Sequence, residues 1–444
     1  MCRGRAAVRS RSHAHSRAGG PIQEGLCTRA MFIGKVVGVS LCAMLCMPST
    51  SSAQRSTVPV DPPESVPLRL GPVALAPTLA VTNLGWDSNV FYQPDAVAVG
   101  DFAATTNPRV LGWMRLGRAR VRGRANLNLV YFQDHASQRS VDQDYEGRFD
   151  LVLTRVTPYV SATWVSAKQP NGFEVDERIR RHEKNVTAGV GLEMGPRTNL
   201  DLAVRRQRAE FDEQSDFQDP LVSAFDDFTS QGVSASLGHD FTPFTSLVVN
   251  VDGHEDRFDD VPERDTNSVG ISSGVEFRPF AMISGHAYVG WVRIEMVNGD
   301  SPPFGGLTAE VNLTYTLLGA TRFILQAQRD VEYSAVRNQN AYLLGGLTAS
   351  VNHRFGETWD AGARVGRYHV TYGLFEDSSA PVVSGPQPNA YAEDATQGGG
   401  ELGYRVGPRM RLAFVLYHQH RESDLGPTRG YGRTVAGMSV NYAF

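Results

Sequence analysis

Arg120, Arg122 and Arg124 stand at alternate positions, and Asn126 and Asn128 continue the row. Successive side chains of a β-strand point to opposite faces, so a period of two places all five on one face. A guanidinium is a planar fork of donors matched to carboxylate and phosphate, and primary amides bond readily to hydroxyl groups. The same chemistry recurs further along at Arg148, Asp150, Asp201, Arg205, Gln207, Arg322, Gln326, Gln328, Arg364 and Arg411. Such a wall attracts anions and offers partners to polyhydroxylated solutes, which describes a pathway rather than a reaction. Lysine occurs only at positions 35, 168 and 184, so arginine is also simply this chain's ordinary cation.

Covalent chemistry has little to stand on. Ser284 and His286 share a strand face, but they adjoin no nucleophile turn and no matched acid. His254, His369 and His418 fall on distant segments, and no paired-carboxylate or histidine-metal spacing is visible. Two acidic segments, Glu210 to Asp227 and Glu255 to Asp265, lack the ordered calcium-loop spacing and read as solvated, self-repelling surface. We expect neither enzymatic activity nor a resident cofactor or metal.

What positions these residues is a repeat of hairpins. A unit of strand, tight turn, strand and longer polar loop recurs about every 40 residues. Tight turns are expected near Gly117, Thr157-Pro158, Gly195-Pro196, Asp240 to Thr245, Pro279-Phe280, Leu318-Gly319, Phe355-Gly356 and Gly407-Pro408. Between them apolar residues alternate with polar ones, as in Val269, Ile271, Ser273, Val275 and Phe277. The pattern predicts about 18 strands of roughly 10–14 residues, with short turns on one side and long loops on the other. A secreted sandwich or solenoid would alternate too. A file of arginines, however, suits a water-filled interior, and closure leaves no unpaired edge. The expected fold is all-β: a transmembrane, antiparallel, up-and-down barrel. Tyr131, Phe132, Tyr145, Tyr288, Trp291, Tyr315, Trp359, Tyr368, Tyr372, Tyr404, Tyr417, Tyr442 and Phe444 are candidates for its interfacial aromatic girdles.

The two ends place this fold in a compartment. Met31 to Met47 is an apolar run with one lysine, followed by small residues through Ala53, the pattern of a cleaved secretory signal. We expect residues 1–30 to be an over-extension, residues 1–53 to be absent from the mature protein, 54–71 to be a Pro-rich periplasmic lead-in and 72–444 to be the barrel. All four cysteines precede the cleavage site, which excludes disulfides and thiol chemistry from the mature chain. That chain holds 36 basic against 46 acidic residues, a net charge of −10, unlike a nucleic-acid binder. The final segment is apolar at Ala436, Met438, Val440, Tyr442 and Phe444. Val440, Tyr442 and Phe444 are the expected assembly signal of an outer-membrane barrel.

The opening strand runs through Leu79-Ala-Val-Thr-Asn83 into Leu84-Gly-Trp-Asp-Ser-Asn-Val-Phe91. It resembles the opening of the putative β-barrel porin type 2 family, with its aromatic-Asp-x-Asn-Val turn, and the layout of residues 72–444 is similar throughout. The resemblance implies an outer-membrane channel, and some similar barrels are associated with exopolysaccharide export. Asp87 and Asn89 are expected to bond their own backbone in a turn. The reading at this point is a passive, porin-like conduit for hydrophilic solutes or exported polysaccharide. A general diffusion porin, or a structural or adhesive barrel with a plugged lumen, is the alternative. The implied partners are outer-membrane lipid and lipopolysaccharide, the barrel-assembly machinery and polysaccharide-export components, with no nucleic acid.

Overall fold

The computed structural model describes Pro62 and residues 66–444, apart from 172–174, 213–226, 279–281, 299–301, 335–340, 375–390 and 428. The expected signal segment, the acidic cluster between 213 and 226, the turn at Pro279-Phe280 and the Pro/Gly-rich stretch from Asp377 to Asn389 therefore lie outside the described residues.

A short strand, β1 (Leu68–Leu70), folds back on β2 (Val73–Asp87). There follow β3 (Asp101–Leu116), β4 (Ala119–Phe132), β5 (Ser140–Leu151), β6 (Val156–Asn171), β7 (Val175–Glu193) and β8 (Thr198–Phe211). Next come β9 (Phe228–Thr242), β10 (Thr245–Phe258), β11 (Thr266–Phe277), β12 (Ile283–Met296), β13 (Phe304–Leu317) and β14 (Thr321–Tyr333). The chain continues through β15 (Ala341–Phe355), β16 (Trp359–Thr371), β17 (Ala392–Val406), β18 (Met410–Ser423) and β19 (Tyr431–Ala443). Each strand from β2 onward pairs antiparallel with its sequence neighbours, and β19 pairs with β2. This is a closed barrel of 18 strands. No helix of the described residues is long and apolar enough to cross a membrane.

Closure follows from the side-chain pattern. Val269 and Ile271 on β11, Val289 and Trp291 on β12 and Leu347 on β15 are exposed, as are Phe414 and Leu416 on β18. An outward row of large apolar side chains is unfavourable in water and suits a hydrocarbon surround. Consecutive strands join by short turns at one end and, apart from the three-residue link between β6 and β7, by longer loops at the other. At the short end Gly117 sits at φ +60°, where a side chain would be strained. The strands reach 19 residues at β7, longer than the alternation suggested. A tilted crossing needs only about 9–11 residues, so the longer strands exceed what one crossing requires.

One local expectation is corrected, and one irregularity is new. Thr157-Pro158 is not a turn: the chain reverses before Val156, and Pro158 lies in β6 opposite Val190 of β7. The ladder to β5 begins only at Tyr159, so the missing proline N–H breaks no bond on that side. In β2 the register slips between Thr82 and Gly85, with Asn83 at φ +52°, and the β19 ladder slips opposite it between Met438 and Val440. This bulge passes the alternation across an interruption that no simple period would show.

Candidate functional site

The inner face is continuous around the ring, because register pairs residues of like parity from strand to strand. On β4, Arg120, Arg122, Arg124, Asn126 and Asn128 stand opposite Asp150, Arg148, Glu146, Asp144 and Asp142 of β5. Arg124 lies 3.0 Å from Asp144 and 3.6 Å from Glu146, and Arg122 lies 3.6 Å from Asp150. Arg148 donates to Asp150 at 2.8 Å. Asn107 of β3 donates to the side chains of Asn126 (2.7 Å) and Asn128 (2.5 Å), which fixes the amide end of the row. The arginine file is thus a ladder of ion pairs. Its field is largely cancelled one strand away, so the anion attraction of this wall is weaker than its arginines alone would give. Asp142, Asp144 and Glu146 were missed as partners, although their period-two spacing was visible.

The remaining candidates occupy the same inner face. Arg205 stands opposite Thr187 and Gly232, Arg322 opposite Asn352, and Arg364 opposite Ser350 and Gly399. Arg411 binds Asp360 through two nitrogens and reaches Glu401 at 3.0 Å. From β9 to β13, in contrast, the inner positions of the described residues carry no arginine or lysine. They hold Asp240, Asp252, Asp256, Glu276 and Glu310, with His254 and His286 among them.

Four tyrosines of this face each lie across a glycine on the adjacent strand. Tyr159 is paired with Gly189, Tyr288 with Gly274, Tyr368 with Gly346 and Tyr417 with Gly399. A Cβ placed on Gly189, Gly274 or Gly346 would come within 2.5–2.6 Å of the ring, and one on Gly399 within 3.2 Å. The missing side chain lets each ring lie along the wall instead of pointing across the lumen. Each hydroxyl then meets a neighbouring side chain. Tyr159 donates to Asp201 at 2.8 Å, Tyr288 donates to Glu276, and Tyr417 donates to Gln397 at 2.6 Å. Tyr368 bonds Thr348 at 2.9 Å and accepts from Gln397.

These contacts correct the aromatic assignment. Phe132, Tyr288, Tyr368, Tyr372 and Tyr417 belong to the inner face or the buried loop end, not to outer girdles. Outward-facing aromatics do occur near the ends. Trp86, Phe102 and Tyr131 mark the loop side, and Phe241, Phe355, Trp359 and Tyr404 the turn side. Tyr442 and Phe444 meet edge-on at 4.9 Å beside β2, while Val440 pairs with Val81.

At the loop end the chain folds inward. Asn89 is fully buried; its N–H donates to Asp87, its amide donates to Gln93 and Gly432, and its carbonyl accepts from Gln93. The turn-forming role expected of Asp87 and Asn89 is what the hydrogen bonds show. Sequence reading did not supply the cation on the other side. Arg433 of β19 clamps Asp87 at 2.6 and 2.9 Å and donates to the Tyr92 hydroxyl at 2.8 Å. Glu393 is gripped by Arg421 and Arg429, beside packed Tyr372 and Tyr391. Tyr333 crosses from β14 to Asp256 of β10 and Thr266 of β11.

The chemistry weighed against a pathway gains little. His286 has an acid partner after all, Glu310 at 3.1 Å from Nε2. Ser284 sits two residues along the same strand, about 6.6 Å away by strand rise, outside hydrogen-bond reach. Among the described residues of the acidic segments, Arg208 binds Asp259 at 2.6 and 2.7 Å and lies 3.4 Å from Glu210 and Asp227, which partly offsets their repulsion.

A family model described as putative beta-barrel porin 2 matches residues 61–444. Among solved structures the chain is similar to the siderophore receptor PirA from Pseudomonas aeruginosa. The identity there is 10%, the alignment covers 83% of this chain and 80% of that one, and the TM-score is 0.40. It is also similar to the outer membrane protein OpdK of the same organism, at 13% identity, 83% and 98% coverage and TM-score 0.44. OpdO, again from Pseudomonas aeruginosa, gives 12%, 83% and 97%, and 0.43. No curated protein matches the chain.

Proposed function

This chain belongs to the putative beta-barrel porin 2 family, and from that membership we propose that it is a passive conduit in the bacterial outer membrane for hydrophilic solutes, with exported polysaccharide as the cargo. The observation that carries this reading is the closed ring with two unlike faces, one a row of exposed aliphatics and aromatics and the other ionic and amide side chains. An 18-strand ring is wider than its own side chains can fill, which favours an aqueous lumen. Charge-compensated walls suit passage better than capture, so transport is the economical reading.

The partners follow from the same surfaces: lipid and lipopolysaccharide around the apolar belt, the barrel-assembly machinery at β19, and polysaccharide-export components at the short-turn end. The inward-folded loop end supports a narrow outer mouth, and a fully plugged, structural barrel is the reading that this observation favours second. Purified protein in a planar bilayer decides between them. Stepwise ion current is expected of a channel, and a folded barrel that carries none is a structural protein. Deleting the gene tests the cargo. Loss of surface polysaccharide with unchanged small-solute uptake is expected; retained polysaccharide with impaired uptake makes it a general diffusion porin.

A further inference from the structure

The lumen holds a cavity of about 200 Å³ against the wall made by β10 to β16. It lies away from the arginine ladder of β4, and the lining has a different chemistry. Asn312 of β13, Gln326 of β14 and Thr348 of β15 stand directly opposite one another across successive strands. One step along the strands, Glu310 and Gln328 form a second row that leads to Gly346 and Tyr368. Gly270, Gly290 and Gly346 remove bulk from the same surface, and Arg364 is the one inner cation in the lining. Primary amides and a threonine hydroxyl both donate and accept, whereas carboxylates accept from hydroxyls and repel anions. The cavity is smaller than a drug-sized site, which begins at about 300 Å³, and suits one small polar unit at a time.

We infer that this wall is a subsite for uncharged, polyhydroxylated chain, a neutral glycan held one sugar unit at a time by the amide rows of β13 to β15. The assignment rests on the conduit reading and narrows its cargo: a polyanion would meet Asp252, Glu310 and Asp330 here, and its natural counter-charge at β4 is already paired. Adjacent strands stand about 4.8 Å apart, so a ring lying across the rows meets a fresh partner at each strand. No single bond dominates, which fits a track that must release what it binds.

The test uses the full-length protein in detergent, titrated calorimetrically with maltoheptaose and with a hepta-galacturonate, alongside bilayer recordings with the same two probes. Saturable binding of the neutral chain, with transient block of the current, is expected. The double variant Gln326→Ala/Gln328→Ala should weaken that binding about tenfold, the scale of one to two lost hydrogen bonds. Asn312→Ala should weaken it in the same direction and serves if the double variant does not fold. Tighter binding of the acidic chain overturns the assignment, and so does neutral binding that all three substitutions leave unchanged. A conducting channel that binds neither probe removes the subsite and keeps the conduit. Neutral binding without conductance keeps the subsite and removes the conduit.

Discussion

At the scale of single residues, the most consequential contacts are cross-strand pairs that no local pattern announces. Arg433 and Asp87 are both nearly buried, at 6% and 3% side-chain exposure, and join the last strand to the first turn. Arg433→Ala would leave a buried carboxylate without its cation, so a loss of about 3–5 kcal/mol is expected in urea unfolding from detergent or liposomes. A loss under 1 kcal/mol would mean that water reaches Asp87. The tyrosine-on-glycine pairs make a different demand. Gly189→Ala puts a methyl 2.5 Å from the Tyr159 ring and 2.8 Å from the Leu202 carbonyl, so the ring must swing off the wall into the lumen and the ladder to β8 must give slightly. The expected result is a folded barrel of lower single-channel conductance, destabilised by about 1–3 kcal/mol. Unchanged conductance would show that the ring escapes along the wall. Neither pair was legible in the sequence. Tyr288, Tyr368 and Tyr417 looked like interfacial aromatics because a single strand does not reveal what its neighbour omits.

At the scale of elements, β4 and β5 act as one unit. Replacing Arg120, Arg122 and Arg124 together with Glu turns a compensated ladder into a carboxylate file beside Asp144, Glu146 and Asp150. Reversal potentials should move toward cation preference, and unchanged selectivity would place the current path elsewhere in the lumen. The loop-end contact of β8 with the loop after β10 brings pH dependence. Arg208 holds the Asp259 carboxyl below its ordinary range through hydrogen bonding and charge. A depressed folded value means that the contact is fully present above the ordinary carboxylate range and is lost as pH falls through the lowered value. Asp259 is mostly solvated, so its contribution to global stability is small. Local protease sensitivity of the loop should rise on acidification, and Asp259→Asn should show that sensitivity already at neutral pH; a loop equally protected in both would refute the clamp. Alternation made these strands and their faces readable, because period two is a property of single segments. Turns were readable where glycine needs positive φ, as at Gly117, and misread at Thr157-Pro158, where proline occupies a position with a ladder on one side only. The ion-pair partners stayed hidden until register set β5 against β4.

At the scale of the whole molecule, one ladder follows another around the ring and a single pairing, β19 with β2, closes it. Tyr442 and Phe444 lie at that closure, with the Phe444 ring against Tyr442. Phe444→Ser should therefore slow assembly in cells and leave unfolded, heat-unmodifiable protein in the periplasm; normal insertion would show that the closing strand needs no aromatic there. The strand number, the up-and-down order and the separation of short turns from long loops were legible from sequence because they are sums over many weak, like signals. The inward fold of the loop end was not, since Asp87 and Asn89 meet Arg433 and Gly432 from more than 340 residues away, and Glu393 finds Arg421 and Arg429 only once the loops fold.

The bulge at Asn83 has a mechanical consequence. Sliding any strand by one residue would turn its greasy side toward water, and the kinked step shared by β2 and β19 locks the one joint where slippage could begin. Such a tube cannot dilate like an iris. Its bore is set by strand number and register, not by any movement of the wall.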